Sequence, residues 1–377
     1  VAALRDHFGL ERRPVKVIEP YQMLGEVDEE LKELLGVDTE GISGRTNMFG
    51  FENSRWKEWR TPWGQEVLVG ADFNVSREAD GSVLIYPQGD TTVPPSAKMP
   101  SDGWFFDSLN RQGEVDPDEA VAEDNLEEFG DLAEEDLAHI VSEAERAYAT
   151  GRYVLANLGG TALGDIAVVP APFAKRPKGI RDVAEWYMLT AGRPELVAEI
   201  FDRQTDIALR NLRRVWDAVG SKIQCLYLCG TDFGTQSATF CSPSAFDEIW
   251  AASYATVNDW IPRNTTWKTF KPSCGAVEPL IGRFIDCGFD ILNPVQCSAA
   301  GMDPRHLKKT YGDRITFWGA GVNTQATLPF GTPEEVRAEV LERCRIFSPG
   351  GGFVFNAIHN VQAETPVANF IAMAEAV

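Results

Sequence analysis

The stretch from Thr266 to Gln296 constrains the fold of this chain most, because it predicts a strand, a helix and a second strand in succession. A β-branched and aromatic run over 265–270 leads into the turn Pro272-Ser273-Cys274-Gly275. Apolar residues then recur at helical spacing, at Val277, Leu280, Ile281, Phe284 and Ile285. A second apolar run follows Gly288 and ends in Asn293-Pro294-Val295-Gln296-Cys297. We therefore expect two buried parallel strands joined by a crossover helix.

The same rhythm of strand, polar segment and helix repeats along the chain from Glu134 onward. Five strands in succession are followed by polar, often glycine-containing segments, and each segment is followed by a helix. This repetition predicts an α/β fold, a (β/α)8 TIM barrel over residues 1–377 as one domain, with a doubly wound open sheet as the alternative. No strand leads into a G-x-G-x-x-G or Walker-type loop, which argues against a nucleotide cofactor.

Residues 64–90 have a different texture from the rest of the chain. Polar and apolar residues alternate there, and the segment turns at Asp80-Gly81. Period-2 alternation on both sides of an Asp-Gly turn is typical of an antiparallel hairpin with one wet face. We interpret this segment as a β-hairpin inserted into the barrel.

The charge balance narrows the range of partners. Lys and Arg total 35 against 56 Asp and Glu, which gives a formal net charge of −21. Such acidity argues against nucleic acid or an anionic membrane as the main partner. No apolar run is long enough to span a membrane and no signal-like segment opens the chain. Seven scattered cysteines suit a reducing cytoplasm better than a disulfide framework, so the sequence predicts a cytoplasmic protein.

Polar and sulfur-bearing residues follow the predicted strands at their carboxyl ends, where barrels place their chemistry. Cys274 lies at a tight turn before a helix, where a helix N-terminus would favour its thiolate as metal ligand or nucleophile; the alternative is a small buried thiol. His359 is a candidate acid, base or zinc ligand, or else a structural histidine. Asp232 is a candidate for positioning a substrate or capping the next helix. The converging residues are Asp232, Gln236, Cys274, Gln296, Cys297, Asn323, Gln325, His359 and Asn360.

A second group of candidates lies in the first third of the chain. Arg45, Arg55 and Arg60 are interleaved with Phe49, Phe51, Trp56 and Trp59. Guanidinium groups among aromatic rings can clamp an anionic or aromatic substrate. The alternative is a packed loop with no ligand.

From about Gly230 to the end, the sequence resembles the uroporphyrinogen decarboxylase superfamily. The resemblance rests on segments that occur in the family's order: GTDFGTQ, KPSCGAVEPLI, DILNPVQCSAAGMDP, LKKTYGDRITFWGAGVNTQ, LPFGTPEEV and GGFVFNAIHNVQAETPVANFIAM. It implies a (β/α)8 barrel that is often dimeric, so a homodimer is expected. The superfamily includes true uroporphyrinogen decarboxylases and zinc-dependent methyltransferases that work with a corrinoid protein or a small methyl carrier.

One departure argues against the porphyrin reaction. The resemblance leads us to expect an Arg-Gln-Ala-Gly-Arg segment on the first strand and a short Ser-Asp-Ile segment with the catalytic aspartate. The first strand here reads VKVIEPYQML, and nothing in the N-terminal third reproduces either segment. A substrate with many carboxylates is also poorly matched to a chain of net charge −21.

The methyltransferase branch implies a zinc site built from His-x-Cys and a further cysteine before the last helix. Cys274 matches the first cysteine, but Pro272 stands where the histidine is expected, and His359 falls near the place of the second cysteine. The predicted zinc ligands are therefore Cys274 and His359, with Cys297, Asp232 or Glu278 to complete the site.

Taken together, these expectations describe a methyltransferase that moves a methyl group between a small molecule and a corrinoid protein or other carrier, with zinc as Lewis acid. Asp232 and His359 are the predicted catalytic residues. Two alternatives stay open: a metal-free decarboxylase of a small acid that uses Asp232 or His359, and a non-catalytic barrel that binds a corrinoid or tetrapyrrole. The predicted substrate-binding residues are Arg45, Arg55, Gln236, Gln296 and Asn323.

Overall fold

The computed structural model of the chain describes residues 1–116, 118–126, 129–158 and 162–377. Within this range the chain packs as two compact units. The first comprises Val1–Asp38, Ser43–Ile140 and Gly164–Ile200, and the second comprises Thr39–Ile42, Val141–Leu163 and Phe201–Val377. The interpretation of 1–377 as one domain stays a prediction.

The strands and helices of the two units are numbered here along the chain. The strands are β1 Val15–Glu19, β2 Leu24–Gly25, β3 Thr39–Ser43, β4 Lys57–Arg60, β5 Glu66–Val69, β6 Val75–Arg77, β7 Val83–Ile85, β8 Ala97–Met99, β9 Asp107–Ser108, β10 Tyr153–Asn157, β11 Cys225–Tyr227, β12 Lys268–Pro272, β13 Ile291–Asn293, β14 Thr316–Ala320 and β15 Phe353–Asn356. The helices are α1 Ala2–His7, α2 Glu29–Leu34, α3 Glu134–Ala149, α4 Val183–Gly192, α5 Pro194–Val219, α6 Pro243–Ile249, α7 Ala251–Asn264, α8 Glu278–Asp286, α9 Pro304–Tyr311, α10 Thr327–Phe330, α11 Pro333–Phe347 and α12 Val367–Ala374.

The second unit contains the predicted barrel-like sheet. Its described residues form seven strands in the order β15-β14-β13-β12-β11-β10-β3, and every neighbouring pair from β10 to β15 is parallel. Helices separate the consecutive strands along the chain, as in repeated strand–helix units. The α/β, TIM-barrel-like fold expected from the sequence is therefore confirmed.

One face of this sheet carries a cluster of buried, mostly large side chains. Cys225, Phe270, Ile291 and Trp318 are buried together, and Tyr153, Leu155, Tyr227 and Val354 pack against them. Because side chains alternate between the two faces of a strand, residues two positions further along face the same way. This buried cluster therefore lies within the strands, ahead of the polar segments that follow their carboxyl ends.

The helices that follow the strands begin at defined caps. Ser242, Asp303 and Thr332 each accept a hydrogen bond from a backbone N–H of the first turn, and each is followed by proline at the first helical position. A capping oxygen and a proline together fix where a helix begins. They thereby set the length of the loop that precedes each helix.

The first unit contains antiparallel sheets around an aromatic core. Strands β6 and β7 pair antiparallel on either side of Asp80-Gly81, as predicted, and continue into β8 and β9. The rest of the predicted hairpin segment differs: β5 pairs with β4 and with β1 in another sheet, because its apolar side chains pack with those of β1. Strand β1 thus belongs to this sheet and is not the first strand of the barrel sheet.

Candidate active site at the carboxyl ends of the strands

Four neighbouring segments carry the polar residues of the candidate site. Asp232 and Gln236 follow β11, Cys274 follows β12, Gln296 follows β13, and Asn323 and Gln325 follow β14. Parallel neighbours end at the same edge of a sheet, so these segments meet there. We call this set the mouth cluster: Asp232, Gln236, Cys274, Gln296, Asn323 and Gln325.

The centre of the mouth cluster is a carboxylate in contact with a thiol. The backbone N–H of Cys274 donates to Oδ1 of Asp232 at 2.7 Å. The Asp232 carboxylate is also close enough for its charge to act on the Cys274 thiol. Both residues are half-buried, so the pair is shielded without being sealed from a ligand.

This environment keeps Cys274 protonated. Burial, followed by the charge and hydrogen bond of Asp232, raises the pKa of the thiol to about 12, and the Lys271 ammonium opposes the shift. The expectation of a thiolate favoured by a helix N-terminus gains no support from these surroundings. Helix α8 begins at Glu278, four residues after Cys274.

A fully buried lysine holds the two segments that carry this pair. Lys271 donates through Nζ to the backbone carbonyls of Thr231 and Pro272, both at 2.7 Å. Its ammonium also lies 5.0 to 5.6 Å from the ring centroids of Phe233, Tyr254 and Phe284. Hydrogen bonds and ring faces together stabilise a charge that burial would otherwise penalise.

Two glycines allow the loops after β11 and β12 to touch. Gly275 has a φ of +85°, and a Cβ placed on it would collide with the backbone of Gly234 and Thr235. The neighbouring N–H of Ala276 donates to the carbonyl of Thr235 at 2.8 Å. Only glycine combines this backbone angle with such close approach, so the turn after Cys274 depends on Gly275.

Three glutamines extend the cluster across the sheet edge. Gln296 is buried, and its Oε1 accepts a hydrogen bond from the Gly275 N–H at 2.9 Å. Its Nε2 donates to Oε1 of Gln236 at 2.9 Å and to Oε1 of Gln325 at 3.1 Å. Asn323 accepts the backbone N–H of Gln325 at 2.8 Å. The structure thus connects six of the residues that the sequence places at this edge.

His359 and Cys297 are not joined to this network. His359 is exposed after β15 and forms no hydrogen bond or ion pair with any described residue. Cys297 is a thiol whose pKa is raised to about 11 by burial, and the charges acting on it are those of Arg343 and Glu339 of α11 and of Asp303.

The predicted zinc ligands do not fit a metal site in this structure. Among the described residues, no group of three or more His, Cys, Asp and Glu side chains is placed to hold a metal ion. Cys274, Cys297 and His359 are included in that range and are not brought together. Cys274 lies beside Asp232, whereas the charges that act on Cys297 are those of Arg343, Glu339 and Asp303.

The predicted arginine clamp has carboxylate partners in the first unit. Arg45 pairs with Glu52, with Glu135 at 2.8 Å and with Asp136 at 2.8 Å. Arg55 pairs with Asp72 at 2.7 Å. The substrate-binding role of Arg45 and Arg55 stays a prediction, and these ion pairs give it no support.

Sequence reasoning missed Lys271 and Ser273. The Ser273 hydroxyl is buried and accepts the Phe233 N–H at 2.9 Å, which ties the loop after β11 to the end of β12. A signal for both residues was present: a lysine and a serine flank Pro272 where the predicted buried strand ends. Polar residues in a buried strand require partners, and here those partners are loop backbone groups.

The fold is similar to that of a solved methyltransferase. A methyltransferase from Methanosarcina mazei aligns with 100% of this chain and 90% of its own, with a TM-score of 0.54 and 14% identity. A D-psicose 3-epimerase from Clostridium cellulolyticum H10 covers 64% of this chain and 81% of its own, with a TM-score of 0.34 and 10% identity. No curated protein matches the chain in sequence. No helix in the described part of the chain is long and apolar enough to cross a membrane.

A sequence model decides the family. The model described as uroporphyrinogen decarboxylase (URO-D) matches residues 136–377, which is more than half of the chain. The match includes every residue of the mouth cluster. The chain therefore belongs to the uroporphyrinogen decarboxylase family.

Proposed function

We propose that this chain is a methyltransferase that moves a methyl group between a small molecule and a methyl carrier, with the mouth cluster as its active site. Similarity of fold to a methyltransferase along the whole chain supports the reaction class. The observation that carries the proposal is the Asp232 carboxylate, which accepts the backbone N–H of Cys274 at 2.7 Å at the carboxyl ends of the strands, where burial and this carboxylate raise the pKa of the thiol.

The chemistry requires a proton at the oxygen that loses its methyl group. The carrier's nucleophile forms a bond to the methyl carbon, the carbon–oxygen bond breaks, and its electron pair stays on oxygen. An alkoxide resembles hydroxide, whose conjugate acid has a pKa of about 15.7, and is therefore a stronger base than the Cys274 thiolate. The thiol, with its pKa of about 12, can accordingly donate its proton to that oxygen. Asp232 orients the thiol, and solvent restores the proton.

The carrier is proposed to be a corrinoid held by a partner protein, in line with the resemblance noted above. Such a carrier acts as a second substrate that approaches the exposed side of the mouth cluster. No step is assigned to zinc, because the described residues do not form its ligand set. His359 is likewise given no proton-transfer step, because it lies outside the hydrogen-bond network.

The proposal is tested by incubating the protein with cob(I)alamin and a panel of alkyl methyl ethers, whose alkoxide leaving group needs the proton. We expect the absorbance of methylcobalamin to appear with at least one donor. Cys274→Ala should abolish most of the rate, whereas Cys287→Ala, which alters a buried thiol at the end of α8, should retain it. Methyl transfer that is unaffected by Cys274→Ala would contradict the assigned site.

A second candidate is decarboxylation of a small acid. The observation that favours it is the same protonated thiol, which could donate a proton to the carbanion left after carbon dioxide departs. Release of carbon dioxide from a small acid in the absence of any methyl carrier would select this reaction.

A further inference from the structure

The three glutamines of the mouth cluster are held in one orientation by a backbone group. The N–H of Gly275 can only donate, so the atom of Gln296 that it contacts must be the carbonyl oxygen. The amino group of Gln296 is then turned toward Gln236 and Gln325 and must donate to both. Gln236 and Gln325 therefore both present their oxygens to Gln296, so the hydrogen-bond network fixes the orientation of all three amides.

This arrangement leaves two amino groups directed away from Gln296. The Nε2 groups of Gln236 and Gln325 have no acceptor among the described residues, and both side chains are exposed. In a planar amide, the oxygen and the amino group occupy different arms of the same carbon, so fixing one fixes the other. Each of the two exposed side chains thus has an amino group from which a ligand at the sheet edge can accept a hydrogen bond.

We propose that Gln236 and Gln325 bind a carboxylate of the small molecule, so that the substrate is a methylated small acid. That the bound acid is the substrate rests on the proposed function, whereas the binding of a carboxylate at this site does not. Hydrogen bonds to an ionised acceptor are stronger than those between neutral groups, so the oriented amides favour a carboxylate over a neutral group of the same shape. Asp232 takes no part in this contact, because it accepts from Cys274.

Matched ligands and isosteric variants test this directly by calorimetry, without a methyl carrier. The probes are methoxyacetate against methoxyacetamide and 3-methoxybenzoate against 3-methoxybenzamide. Gln236→Glu and Gln325→Glu each keep an oxygen for Gln296 and replace the outward amino group by a carboxylate oxygen. Lys309→Gln changes the net charge by the same amount on an exposed face of α9, outside the mouth cluster.

We expect the parent chain to bind at least one carboxylate about tenfold or more tightly than its amide. Both Glu variants should lose that preference, whereas Lys309→Gln should keep it, and thermal unfolding should show that all variants fold. If no carboxylate binds more tightly than its amide, or if both Glu variants keep the preference, the proposal is wrong.

The two proposals fail separately. A carboxylate preference without methyl transfer to cob(I)alamin would overturn the proposed reaction and leave the carboxylate site standing. Methyl transfer by a chain that binds acids and amides equally would overturn the carboxylate site and leave the reaction standing.

Discussion

The mouth cluster and the surroundings of Arg45 are both polar, yet they differ in how many hydrogen-bond donors remain without an acceptor. Arg45 uses Nε and both terminal nitrogens on Asp136, Glu52 and Glu135. Gln236 and Gln325 use only their oxygens on Gln296 and keep their amino groups free for a ligand. The comparison shows that residue type alone does not identify a binding site; the unused hydrogen-bonding capacity does.

The two regions also differ in how they treat charge. Hydrogen bonds that Arg45 donates to Asp136 and Glu52 raise the pKa of Arg45, and the same pairing lowers the pKa of Glu52, so each charge stabilises the other. Around Cys274, burial and the Asp232 carboxylate oppose ionisation of the thiol. The charges around Arg45 are thus already paired with one another. The Cys274 thiol, in contrast, keeps a proton that a reaction can use.

The largest expected effect concerns the reactivity of Cys274. A rise in pKa from 9.0 to about 12 reduces the thiolate fraction at pH 8 by about a thousandfold, so alkylation by iodoacetamide should be very slow compared with the unfolded chain. Peptide mass spectrometry follows the modification. Asp232→Asn should accelerate it, because the carboxylate contributes to the shift.

The same shift has a consequence for stability. A group whose folded pKa lies above its unfolded value contributes its full share of folding stability at low pH. The contribution of Cys274 to stability is therefore present below about pH 9 and is lost as the pH rises toward 12.

Equal rates of iodoacetamide alkylation for the folded and the unfolded chain would contradict the assigned environment of the thiol.

The next effect is on methyl transfer. Asp232→Asn keeps an oxygen for the Cys274 N–H and removes the carboxylate charge, so the fold should persist. Asp232 orients the thiol that donates the proton, and misplacement of a catalytic group can lower a rate by about a hundredfold. We expect a fall of that size in kcat with cob(I)alamin as acceptor. A fall of less than about threefold would remove Asp232 from the mechanism.

A smaller effect tests the contact between the two loops. Gly275→Ala places a Cβ against the backbone of Gly234 and at a φ of +85°, which should destabilise the chain by about 2 kcal/mol or more. Gly282→Ala is the matched control, because a Cβ there meets nothing within 4 Å in the middle of α8 and should stabilise by about 0.5 to 1 kcal/mol. Urea unfolding measures the stability of both variants. Equal unfolding midpoints for Gly275→Ala and Gly282→Ala would contradict the close contact between the two loops.

The smallest effect belongs to the first unit. Arg45→Met removes three ion pairs from a partly exposed side chain, which should lower the free energy of unfolding by about 1 kcal/mol or less. It should leave kcat/KM within about twofold of the parent, because its donors are already used. A large rise in KM with stability unchanged would restore Arg45 as a substrate ligand.

Much of the barrel-like unit could be predicted because its information is local. The strand, turn and helix around Pro272–Gly275 appear as β12 and α8 within a few residues of the predicted bounds, since apolar periodicity and turn residues act over short distances. The same local signals placed Asp232, Cys274 and Gln296 at one edge of the sheet.

The remainder depends on contacts between distant residues. Strand β1 has the apolar pattern of a first barrel strand, but its parallel pairing with β5 is decided by packing that no local window contains. The raised pKa of Cys274 comes from burial and from Asp232, which lies 42 positions away along the chain. Two of the three carboxylates paired with Arg45, those of Glu135 and Asp136, likewise come from a helix about 90 positions away.

The central claim is that Asp232 and Cys274 act as one proton-holding unit, and a double-mutant cycle on the methyl-transfer rate tests it most directly. The rates of the parent, Asp232→Asn, Cys274→Ala and the double variant are compared with cob(I)alamin and the same donor. The account predicts a double variant about as slow as the slower single variant, because either change disables the same unit. Effects that multiply in the double variant would contradict it and would show that the two residues act independently.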